Sequence, residues 1–216
     1  MFIAHFGVGF AAKKAAPASS LGTLFLAAQW LDLLWPSLLL LGMESVRIEP
    51  GATRVTPLDF VSYPWSHSLL LVLAWGALFA LAYWTVRRYR LGALVAGACV
   101  VSHWLLDLVV HRPDLPLTPS GGSKVGLGAW SSIPATLALE FVLFAVGVGL
   151  YARATRATSR FGRYGFWGLA AFLALMYVGN LLGPPPPSVE AIAWVGQAQW
   201  LIVLYAFVLD RHRRPQ

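Results

Sequence analysis

Six apolar runs, each near the length needed to cross a bilayer, dominate the chain: residues 21–42, 67–86, 91–110, 130–151, 165–182 and 193–209. A helix rises about 1.5 Å per residue, so about 20 residues cross the hydrocarbon layer of roughly 30 Å. Hydrocarbon offers backbone N–H and C=O groups no partner, which leaves helices as the way for such runs to cross. Only 12% of residues are charged, against about a quarter in a typical soluble domain. The expectation is an all-α, polytopic integral membrane protein. It has about six transmembrane helices and a short N-terminal half-helix or re-entrant segment. Nothing resembles a long linker, so residues 1–216 read as a single membrane domain.

The net charge of +7 sits in short connections between the runs. Lys13 and Lys14, Arg87 to Arg90, Arg153 to Arg163 and Arg211 to Arg214 all fall on one predicted side. That is the orientation signal of membrane proteins, and it leaves no need for a nucleic-acid partner. The rule places the C-terminus in the cytoplasm and His67 and His111 at the outer ends of their spans. The first twelve residues are apolar, but their lysines follow the run, the reverse of a secretory signal. They are expected to enter from the outside, which brings His5 level with the other histidines. Cys99, the one cysteine, allows no internal disulfide.

The third run carries His103, Asp107 and His111 at a spacing of four. Four residues advance a helix by about 400°, so the three form one polar stripe, each about 6 Å above the last. Ionisable groups inside membrane spans are expensive and mark functional sites by default. Asp32 and Glu140 lie deep in other runs, where almost no lysine or arginine is available to pair with them. A divalent cation solves that problem, because imidazole and carboxylate are natural ligands for zinc and similar ions. The candidate metal ligands are therefore His5, Asp32, His67, His103, Asp107 and His111. Asp107 or Asp32 would orient a water, with Glu140 and Ser66 in support. Arg112 and Lys124, in the loops that follow, are candidates to pair with a substrate phosphate. The bland alternative is a set of polar groups bonding neighbouring helices, and a third is a proton or metal path. Asp210, at the end of the last span, is expected to pair with nearby arginines.

In order, the chain shows His5, Leu31-Asp32, Ser66-His67-Ser68 and His103-Trp104-Leu105-Leu106-Asp107. The loop His111-Arg112-Pro113-Asp114-Leu115-Pro116-Leu117 and Gly126 to Ser131 follow. This order resembles the bacterial family of inner-membrane, metal-dependent hydrolases typified by YdjM, over roughly the first 140 residues. The resemblance implies a metal site at His5, Asp32, His67, His103 and Asp107 and a place in the bacterial inner membrane. Two departures stand out. The family's first-span element often carries two aspartates, where this chain has only Asp32, which puts a second ion in question. Its Thr-His-Ser reads Ser66-His67-Ser68 here. The His103-x-x-x-Asp107 pair is also similar, more loosely, to ligand pairs of zinc-dependent phospholipase C and S1/P1 nucleases. The expected function is a membrane-bound hydrolase using a metal-activated water on a phosphoester or lipid-linked substrate. A non-catalytic metal or proton transporter, or a sensor, is the alternative.

Overall fold

A computed structural model describes all residues 1–216. The protein is all-α, with three small two-stranded ladders at its ends. Five helical stretches are long and apolar enough to cross a membrane: α5 (Leu69–Arg87), α6 (Arg90–Val110), α7 (Ile133–Ala154), α8 (Arg160–Leu182) and the joined pair α9 (Val189–Gln197) and α10 (Gln199–Asp210). A sixth is broken: α2 (Leu21–Ala28) and α3 (Trp30–Leu40) meet at Gln29 with a bend of 57°.

The short N-terminal helix α1 (Ile3–Ala15) is the post around which the others stand. Ile3, Ala4, His5, Phe6 and Phe10 are all buried. It lies so close to α7 that a Cβ on Gly147 would sit 2.0 Å from the carbonyl oxygen of Gly7. Small residues let membrane helices approach backbone to backbone, where packing and not water drives association. The same device joins α5 to α6, with Gly76 facing the Gly97 carbonyl. Below His5, the next turns of α1 present Phe6 and Phe10, which pack with Phe25, Phe144, Tyr151 and Phe166 in an apolar core.

The basic segments gather at one end. Lys13 Nζ donates to both oxygens of Asp210, at 2.9 and 3.0 Å, and to the Ser19 carbonyl. Asp210 is thus paired with a lysine from α1, not with the neighbouring arginines that its sequence position suggested. The tail strand Arg213–Pro215 pairs with Thr155–Ala157, and Arg213 donates to the Thr155 hydroxyl and the Gly162 carbonyl. At the opposite end the loops form a lid-like layer. β1 (Ser45–Ile48) pairs with β2 (Leu58–Ser62), and β3 (Leu115–Pro116) with β4 (Lys124–Val125). The short helix α4 (Pro64–His67) leads from this layer into α5.

Candidate metal centre

Five ionisable side chains, carried by four helices, meet beneath the loop layer. His103 and Asp107 stand one above the other on α6, and His103 lies about 20 Å along the helix from its basic end. Asp32 opens α3, just past the bend. His67 ends α4, and His5 comes from the first turns of α1. Donor atoms of His5, His103 and Asp107 lie within 4.8 Å of one another, as do those of Asp32, His67 and His103. Asp107 faces two ways: Oδ1 meets His5 Nε2 at 3.1 Å, while Oδ2 lies 3.3 Å from His103 Nε2 and 3.7 Å from His67 Nε2. Asp32 Oδ1 is 3.7 Å from His103 Nε2 and 3.8 Å from His67 Nε2.

These separations fit a metal ion. Zinc–ligand bonds of about 2.0–2.1 Å in a tetrahedron put neighbouring donor atoms about 3.3–3.4 Å apart. The four histidine–carboxylate separations among Asp32, His67, His103 and Asp107 Oδ2 lie within a few tenths of an ångström of that value. The buried His103 Nε2 has no hydrogen-bond partner, as expected of a ligand nitrogen aimed at an ion. No lysine or arginine side chain reaches either carboxylate; only the histidines and the Met1 amino group do. Asp32 is the open edge of the group, with its side chain 22% exposed where the histidines are 6% or less.

The tautomers of two histidines follow from their outer partners. His103 Nδ1 lies 2.8 Å from the Ala28 carbonyl oxygen, which can only accept. Nδ1 therefore carries the proton, and in the neutral ring Nε2 keeps its lone pair. Ala28 is the last residue of α2, and the final carbonyls of a helix have no partner of their own. The bend at Gln29 thus supplies an acceptor at the place where His103 needs one.

His67 is held by a chain that begins at Glu44. Glu44 Oε1 accepts from the backbone N–H groups of Trp65 and Ser66, at 2.8 Å each. Its Oε2 accepts from Ser66 Oγ at 2.7 Å. The Ser66 proton is thereby committed, so Ser66 Oγ accepts from His67 Nδ1 at 2.7 Å and Nε2 is again free for an ion. Such outer partners orient metal-binding histidines and raise their basicity. Glu44 lies in the loop between α3 and β1, where burial lifts its carboxyl above the ordinary glutamate range against the pull of its hydrogen bonds from Ser66 and Trp65. Sequence reasoning named Ser66 but not Glu44. No local pattern distinguishes Glu44 from Glu49 in the same loop; only the fold returns it to α4.

The remaining candidates stand elsewhere. His111 contributes no donor to either group. The chain turns out of helical geometry at this residue, so the stripe does not continue through it. Its Nδ1 donates to Asp114 Oδ1 at 2.8 Å, with the Tyr63 hydroxyl donating to the same oxygen and Trp130 packed on the ring. Arg112 pairs with Asp59 and Asp114, and Lys124 donates to the Val61 carbonyl. Both basic residues make contacts within the loop layer. Glu140 accepts from the backbone N–H groups of Phe2 and Ala4 at 2.8 Å each. It caps the start of α1 inside the bundle, where those donors have no helical partner, and so fixes the turn that carries His5. His5 lacks an outer partner: its Nδ1 is buried and unbonded, and its ring stacks on that of His103 at 3.5 Å.

Comparison with protein-family models, with curated proteins and with solved structures finds no match to this chain.

Proposed function

We propose that the protein is a metal-dependent hydrolase of the bacterial inner membrane, of the YdjM type, acting on a phosphoester or lipid-linked ester. The observation that carries this reading is the convergence of Asp32, His67, His103 and Asp107 at metal-ligand spacing, with the outer nitrogens of both histidines already bonded. His67, His103 and Asp107 would hold one ion, zinc by the chemistry of the donors, with Asp32 beside the position left open for water. A bound divalent ion polarises a phosphoryl or acyl oxygen and lowers the pKa of water.

The chain's own residues supply the rest. Asp107 has a second oxygen outside the donor set, held by His5, so it is anchored while its other oxygen works. Asp32 faces the opening and is the carboxylate placed to take a proton from an incoming water. With the basic end inside, the centre lies in the outer half of the membrane, under the loop layer.

The transporter alternative needs a polar route from the centre to the basic end. Buried Phe6, Phe10, Phe25, Tyr151 and Phe166 form an apolar core there, which weighs against such a route. The test is metal content of the purified protein together with hydrolysis of a phosphodiester and of a phospholipid. The expected result is about one zinc per chain, lost in His103→Ala and Asp107→Asn, and metal-dependent turnover. Wild-type protein without stoichiometric metal, or metal-loaded protein that hydrolyses no ester, overturns the proposal.

A further inference from the structure

An apolar groove of about 490 Å³ runs between α8 and the α9–α10 span, walled by residues such as Phe172, Met176, Val195 and Leu201. Its lower end lies by Tyr205, whose hydroxyl donates to the Gly165 carbonyl near the basic end of α8. Its upper end is lined by Phe2, whose ring stacks on Tyr177. Phe2 donates its N–H to Glu140 and stands one helical turn before His5. The groove therefore starts at the flank of the candidate metal centre and descends along the spans.

We propose that this groove holds the hydrocarbon chain of a membrane lipid whose ester head reaches the metal centre past Phe2. The walls belong to helices long and apolar enough to span a membrane, so the medium outside them is hydrocarbon, and a lipid chain is the occupant that medium supplies. The volume falls in the range of small-molecule sites, about 300–1,000 Å³. The assignment of the head to hydrolysis rests on the function proposed above; occupancy of the groove by a lipid chain does not.

The test is photocrosslinking in nanodiscs, with phosphatidic acid that carries a diazirine on its acyl chain as the probe. Adducts are mapped by mass spectrometry and metal content is measured on the same samples. Gly168 lines the groove, and a Cβ added there meets open space, so Gly168→Phe adds bulk at the groove wall; Gly168→Ala is the control for folding. Adducts should concentrate on Phe172, Met176 and Leu201 and fall about tenfold in Gly168→Phe, with metal content unchanged. Unlabelled phosphatidic acid and an isoprenyl phosphate are the competitors: protection by either supports the groove and tells which chain it prefers, and protection by neither overturns it. Adducts spread as heavily over the exposed face of α5, at Leu70, Leu73 and Leu78, also overturn it. Groove adducts without bound metal would sink the hydrolase reading alone. Bound metal with adducts elsewhere would sink the groove alone.

Discussion

Replacing Glu44 by glutamine keeps its shape and reverses one hydrogen bond. The amide oxygen of Glu44→Gln would still accept from the Trp65 and Ser66 backbone. The amide nitrogen would then donate to Ser66 Oγ, where Glu44 Oε2 now accepts at 2.7 Å. Ser66 would turn its proton toward His67 Nδ1, 2.7 Å away, and His67 would carry its own proton on Nε2. That nitrogen is the one facing Asp32 and Asp107 at 3.8 and 3.7 Å, and a protonated nitrogen cannot bind an ion. Loss of an outer partner lowers metal affinity by roughly 10–100-fold, or about 1.4–2.7 kcal/mol. Competitive titration with a fluorescent zinc chelator reads the change directly. Ser66→Ala should weaken binding less, because it leaves His67 Nδ1 without a fixed partner but does not force the wrong tautomer. The pH dependence follows from the raised Glu44 carboxyl. As pH falls through that raised value, Glu44 takes up a proton and the same reversal occurs. Metal should leave wild type at a higher pH than an ordinary glutamate would set, and this step should be missing in Glu44→Gln. Wild-type affinity in Glu44→Gln, with wild-type pH dependence, would refute the chain of reasoning.

Chelation should lower thermal stability, since an ion at 100 times its dissociation constant stabilises by about 2.7 kcal/mol; scanning calorimetry with and without EDTA checks this, and no shift in Tm counts against a resident ion. Gly147→Ala drives a Cβ into the Gly7 carbonyl, 2.0 Å away, and should destabilise by about 1–3 kcal/mol as overpacking, with α1 displaced and metal affinity reduced; denaturant unfolding and the zinc titration measure both. Lys13→Met leaves the largely buried Asp210 without its partner and should cost about 3–5 kcal/mol, whereas Lys13→Met with Asp210→Leu should recover most of the loss in the same unfolding experiment.

The basic tail and the outer loops show how a readable sequence still leaves contacts open. The arginine clusters were legible as markers of one end, because charge avoids hydrocarbon wherever the fold places it. The partner of Asp210 was not legible, because Lys13 lies 197 residues away and only the tertiary fold brings them together. Arg112 shows no partner in the sequence; in the fold, Asp59 of β2 pairs with it.

The sequence by itself determined the spans, the short N-terminal helix and the presence of buried histidines and aspartates. Those follow from hydrophobic length and from the cost of charge in hydrocarbon, both local properties. Periodicity of four predicted one polar stripe of His103, Asp107 and His111. The tertiary structure kept the first two, which share a helix face. It turned the third aside, because the helix ends at Val110 and Asp114 is closer at hand. It also decided that His5, Asp32 and His67 join the pair, that a bend at Gln29 and a loop glutamate set two tautomers, and that Glu140 caps a helix. Each of those depends on which backbone and side-chain partners distant segments bring within hydrogen-bonding reach, and no spacing along one chain encodes that.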